Sequence, residues 1–204
     1  SVSLSLAYDP TLLSITGVNA APALPADAVI TADLSVPGLI NLLVTSATGF
    51  SAGRGEFVLL DANVPTDAPY KATQILDIHN LELNSGAIAA VEDDGLHVAA
   101  YLADISGNGK YSNVDSSGIF PVITGDVTGF DAYPLIDPLV LADVNVDGRL
   151  TSFDRLILLQ EVYGIDRQEI PNIPESLPAT LVSGEQAQQD RVAQNFATAA
   201  TSRE

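Results

Sequence analysis

Two twelve-residue stretches, 104–115 and 143–154, carry oxygen-bearing side chains at the same internal positions. Asp104, Ser106, Asn108, Ser112 and Asp115 stand at positions 1, 3, 5, 9 and 12 of the first (loop 1). Asp143, Asn145, Asp147, Thr151 and Asp154 stand at those positions of the second (loop 2), and each loop has glycine at position 6, Gly109 and Gly148. Calcium takes about six to eight hard oxygen ligands, and a twelve-residue loop delivers them from positions 1, 3, 5, 7 by its backbone carbonyl, 9 often through water, and 12. The expected ligands are therefore Asp104, Ser106, Asn108, the Lys110 carbonyl and Asp115, with Ser112 through water, and Asp143, Asn145, Asp147, the Arg149 carbonyl and Asp154, with Thr151 through water. Two calcium ions are expected. Loop 1 has the carboxylates Asp104 and Asp115, whereas loop 2 has Asp143, Asp147 and Asp154, which predicts tighter binding by loop 2. Such residues also build ordinary surface turns, and it is their recurrence in register that favours a metal.

The elements that must hold these loops read as helices on their C-terminal side. After loop 2, Ser152 is expected to cap a helix whose apolar face is Phe153, Leu156, Ile157, Leu159 and Val162, with Gly164 in the stop position. After loop 1, Gly118 and Pro121 predict a shortened or bent helix. Upstream, residues 1–99 read as about seven strands separated by turn residues, the pattern of an all-β sandwich or barrel. The apolar runs at 12–18, 29–34, 39–45, 56–62, 72–83 and 96–102 supply them after an opening strand at Val2, Leu4 and Leu6. The last strand leads into Asp104 without a Pro, Gly or Ser spacer, too short a junction for a flexible linker.

Composition removes several function classes. The 204 residues carry a net charge of −18, which repels phosphate backbones and anionic headgroups, so neither nucleic acid nor membrane insertion is expected. With no cysteine, any metal must be held by oxygen or imidazole. His79 and His97 fall opposite the apolar residues of their strands, which predicts exposed side chains and not ligands or general bases. No nucleophile-elbow, zinc-protease or phosphate-loop motif occurs, so no catalytic residue is assigned and no enzyme is expected. The chain has no initiator Met and reads as part of something longer.

A duplicated loop of this kind, each copy followed by a helix and lacking an entering one, resembles a dockerin, the calcium-dependent module that docks onto cohesin domains. That resemblance covers about residues 103–174. The β-rich part resembles a cohesin-like, jelly-roll sandwich through Tyr8-Asp9-Pro10 at a strand end, the strand at 55–59 and the closing 94–98. The domains expected are thus a mainly β sandwich at 1–100 with its opening strand missing or supplied from outside, a small α-helical dockerin-like module at 101–175, and a polar tail at 176–204, partly disordered or helical. The resemblance implies that positions 10 and 11 of each loop, Asn113, Val114, Ser152 and Phe153, help read a partner. It also implies a cohesin or dockerin-like partner in cis or in trans, and an extracellular or cell-surface bacterial scaffold or adhesin, of the kind used in polysaccharide breakdown. The short junction leads to the further expectation that the two parts pack as one unit. Carbohydrate binding by the sandwich is the second function class, weakened by the absence of Trp and of an aromatic platform on any one strand face.

Overall fold

The computed structural model describes residues 1–51, 53 and 55–174. The tail expected at 176–204 lies outside the described residues. The described chain divides into two compact units, one of Ser1–Ala68 with Thr73–His97, the other of Pro69–Ala72 with residues 98–174.

The first unit is mainly β. Its strands are β1 (Val2–Ala7), β2 (Ser14–Ala20), β3 (Val29–Val36), β4 (Leu39–Thr45), β5 (Val58–Asn63), β6 (Thr73–Leu83) and β7 (Gly95–Val98). They form a five-stranded sheet in the order β3-β4-β1-β6-β7 and a two-stranded sheet of β2 and β5. The pairs β1–β4, β1–β6, β3–β4 and β2–β5 are antiparallel. β4 shows the period-two logic: Ile40, Leu42 and Val44 are buried while Asn41, Leu43 and Thr45 face out, because successive side chains point to opposite faces. The core joins Leu6 and Ile40 to Leu13 and Ile15, with Leu4, Tyr8, Leu34, Leu76 and Ile78 at its margin.

Three strand expectations shift for local reasons. The strand foreseen at 12–18 begins at Ser14, because Asp9 holds the preceding turn: its carbonyl accepts from the Leu12 and Leu13 N–H groups, and its carboxylate accepts from the Thr11 N–H and hydroxyl. The strand foreseen to 102 stops at Val98, since Tyr101 already belongs to the turn that delivers Asp104, with the Asp104 N–H donating to the Tyr101 carbonyl at 3.1 Å. His97, expected on the exposed face, is half-buried against Gln74 Nε2 at 3.1 Å, and burial lowers its pKa, whereas Leu96 beside it is exposed.

The second unit contains α1 (Asn113–Thr124), α2 (Pro138–Ala142) and α3 (Ser152–Val162). Its core gathers Ile105 and Val144, both at loop position 2, with Ile119, Phe130, Tyr133, Ile136, Leu141, Ile157 and Leu158. α1 is not shortened as one alternative foresaw: it runs for 12 residues through both Gly118 and Pro121. A Cβ at residue 118 would lie 2.7 Å from Ile105 Cδ1, so glycine there lets loop 1 pack directly on the helix. Pro121 lies one turn from the end, where its carbonyl accepts from the Asp126 N–H while the Gly125 N–H reaches the Val122 carbonyl. With Gly125 at φ 78°, this is the left-handed closure that satisfies orphan carbonyls.

Candidate metal centre

Each loop is organised by its first and last carboxylates. In loop 1 the Asn108 and Gly109 N–H groups, positions 5 and 6, donate to Asp104 at 3.2 and 2.6 Å. In loop 2 the Asp147 and Gly148 N–H groups, again positions 5 and 6, donate to Asp143 at 3.1 and 2.8 Å. Asp115 accepts from the Ser106 N–H at 2.9 Å, the Ser112 N–H at 2.9 Å and the Ser112 hydroxyl at 2.8 Å. Asp154 mirrors it with the Asn145 N–H at 3.3 Å, the Thr151 N–H at 2.8 Å and the Thr151 hydroxyl at 3.0 Å, and adds the Val144 N–H at 3.0 Å. Gly109 and Gly148 sit at φ 74° and 78°, the left-handed conformation that makes glycine the fitting residue at position 6.

The same contacts start the helices. Ser112 caps α1 by accepting from the Val114 N–H at 3.2 Å, and Thr151 caps α3 by accepting from the Phe153 N–H at 3.2 Å. In both, the position-12 aspartate reaches back to the cap backbone, completing a capping box. The cap of α3 is therefore Thr151, and Ser152 is its first helical residue. Position 9, expected to act through water, spends its hydroxyl on the helix start and on position 12.

Asp104, Asp115 and Asp154 are fully buried and Asp143 is 8% exposed. Ser106 is drawn in, its hydroxyl donating to Asp104 at 3.2 Å, while Asn108, Lys110, Asp147 and Arg149 lie on the exposed outer turns. Asp147 turns onto its own loop, accepting from Asn145 Nδ2 at 3.0 Å and the Arg149 N–H at 2.9 Å. Among the described residues no three histidine or acidic side chains are gathered closely enough to hold a metal by themselves. Loop 1 offers only two carboxylates to such a group, so its remaining donors have to be hydroxyl, amide and carbonyl oxygens. That all-oxygen set is of the kind calcium accepts and zinc does not favour.

Asn113, Val114, Ser152 and Phe153 are all exposed at matching starts of α1 and α3, with Val114 at 65% and Phe153 at 54%. Of the face expected for α3, Ile157 is buried, but Phe153 and Leu156 point outward and Leu158, not foreseen there, is buried. Arg155 Nε bridges the two helices by donating to the Ser116 carbonyl at 2.9 Å.

One contact had no sequence signal. Tyr70 donates its phenol O–H to Asp104 Oδ2 at 2.5 Å across 34 residues of chain, and Tyr133 donates to the Tyr70 oxygen at 3.3 Å. Burial pushes the phenols of Tyr70, Tyr111 and Tyr133 well above their ordinary range, so all three remain donors. Compared with protein-family models, with curated proteins and with solved structures, the chain matches none. Among the described residues no helix is long and apolar enough to cross a membrane.

Proposed function

We propose that the second unit is a dockerin-like, calcium-dependent interaction module holding two calcium ions, joined to a cohesin-like β sandwich in an extracellular bacterial scaffold or adhesin. Its work is binding and architecture, not catalysis. The observation that carries this reading is the equivalence of the two loops. Position 1 collects the N–H groups of positions 5 and 6, and position 12 collects those of positions 3 and 9 with the position-9 hydroxyl, in both copies. Two ordinary turns have no reason to share that pattern. A bound cation at each loop offsets the repulsion of carboxylates buried together, so metal binding and folding of this unit are coupled. The exposed residues at the helix starts, Val114 and Phe153 above all, are the surface offered to a cohesin-type sandwich.

Calcium titration by calorimetry on the wild type, Asp104→Ala and Asp143→Ala tests the reading. Two sites in the wild type, one lost in each variant, with helix content rising on binding, is the expected result. No calcium heat in the wild type would overturn it and turn attention to glycan binding by the sandwich. With calcium bound, the double variant Val114→Ala/Phe153→Ala should lose a cohesin-type partner while retaining both calcium sites.

A further inference from the structure

The position-1 aspartates of the two loops differ in one respect. Asp143 takes one N–H on each carboxylate oxygen, from Asp147 at 3.1 Å on Oδ1 and from Gly148 at 2.8 Å on Oδ2, both inside its own loop. Asp104 is unevenly loaded. Its Oδ2 takes two short donors, the Gly109 N–H at 2.6 Å and the Tyr70 phenol at 2.5 Å, while Oδ1 has only 3.2 Å contacts from the Asn108 N–H and the Ser106 hydroxyl.

Tyr70 is itself fixed. Its neighbours form a two-way backbone bridge, the Lys71 N–H donating to the Ala99 carbonyl and the Ala99 N–H to the Ala72 carbonyl, each at 2.9 Å. Its ring lies 5.7 Å from that of Tyr101, and its oxygen accepts from Tyr133. With a phenol donating one hydrogen and accepting another, the direction of its O–H is determined. Segment Pro69–Ala72, which the chain places between β5 and β6, is in this way part of the unit that holds loop 1.

We propose that Tyr70 is a positioning residue for calcium in loop 1: by occupying Oδ2 of Asp104 it presents Oδ1 to the metal, and it makes loop 1 depend on a stretch of chain that loop 2 does without. The proposal rests on the calcium reading above. Partners that orient a metal ligand are typically worth about 10- to 100-fold in affinity. Pre-orientation from Tyr70 offsets part of the disadvantage of a loop with one carboxylate fewer.

The test is calcium titration of the full chain in two backgrounds. Asp143→Ala isolates loop 1 and Asp104→Ala isolates loop 2, each with and without Tyr70→Phe. Tyr70→Phe should raise the loop-1 Kd about tenfold or more and leave the loop-2 Kd within a factor of about two. Titrating the wild type against Tyr70→Phe alone reads the same split without either aspartate change. Tyr133→Phe, which removes a hydroxyl behind Tyr70 but keeps the bond to Asp104, should shift loop 1 by less than about threefold. Equal weakening of both loops, or an effect of Tyr133→Phe as large as that of Tyr70→Phe, would make these tyrosines packing residues and overturn the proposal. Two calcium sites with no change at loop 1 would overturn it while sparing the calcium reading, and no binding by the wild type would overturn both.

Discussion

Loops 1 and 2 solve one problem with the same hydrogen bonds but different surroundings. In each, a position-12 aspartate closes the loop, completes the capping box of the next helix and is fully buried, so loop and helix are one folding element. They diverge at position 4, where Gly107 and Val146 both adopt positive φ, 66° and 55°. Gly107 is hemmed in: a Cβ there would lie 2.6 Å from Lys71 Cδ and 3.2 Å from the Tyr133 hydroxyl. Val146 is 81% exposed, and a β-branched residue in this conformation is strained. At position 4 loop 1 is therefore enclosed and unstrained, loop 2 exposed and strained. Carboxylate count alone, which favours loop 2, leaves out the part of affinity that comes from how well the ligands are held beforehand.

The strongest way to break the equivalence is to remove the closing carboxylate. Asp115→Ala strips the acceptor from two N–H groups and a hydroxyl, and Asp154→Ala from three N–H groups and a hydroxyl. A buried donor left unmet costs about 1–3 kcal/mol; the Val144 N–H is buried and the other donors are part-buried, so Asp154→Ala should destabilise the second unit by about 3 kcal/mol and Asp115→Ala by less. Urea unfolding in excess chelator reads this apart from metal binding. If the metal-free variants were as stable as the metal-free wild type, the carboxylates would matter only as ligands.

A smaller change sharpens the contrast at position 4. Gly107→Ala should cost about 1–2 kcal/mol from its positive φ, the flexible Lys71 side chain moving aside and the Tyr133 hydroxyl and Ala132 Cβ, at 3.2 and 3.3 Å from the added Cβ, giving slightly. Val146→Gly should gain about 1 kcal/mol or less, because relief of strain is partly spent on a more flexible unfolded chain. Thermal unfolding of the two variants should move in opposite directions, and a shared sign would mean that the loops are not held as described.

Residue spacing made the loops legible because the contacts of their position-1 and position-12 carboxylates are local: apart from the bond from Tyr70 to Asp104, these span at most ten residues, and the other long-range tie, from the Tyr111 phenol to the Pro171 carbonyl, lies outside that frame. Alternation in β4 made the sheet legible for the same reason. What escaped was set by partners distant in sequence. Gly118 reads as a helix breaker until Ile105 is seen to need its space, and nothing around residue 70 points to Asp104. Phe153 reads as core by helical spacing, yet the buried face of α3 is chosen by Asp154, which must turn inward to close loop 2 and carries Ile157 and Leu158 with it. Thr151 outcompetes Ser152 as cap because only it stands three residues before that aspartate.

The first unit supplies the mildest test, through a carboxylate that staples a loop in water. Asp27 accepts from the Ser46 and Thr48 hydroxyls and from the Ala47 and Thr48 N–H groups, and these bonds, those from Thr48 first, lower its pKa from 3.8 to about 2. A carboxylate whose pKa is lower in the folded than in the unfolded chain binds fewer protons when folded. Its contribution is complete above pH 3.8 and is lost as the pH falls through about 2. Asp27 is fully exposed to solvent screening, so the effect on the first unit should be slight, and clearest as a side-chain titration followed by NMR. Thr48→Ala should bring that titration back toward 3.8 by removing the hydroxyl while sparing the N–H bonds. An unchanged midpoint would mean that the backbone donors alone hold the loop, in which case Asp27 would work as the buried aspartates of the second unit do, chiefly through N–H groups.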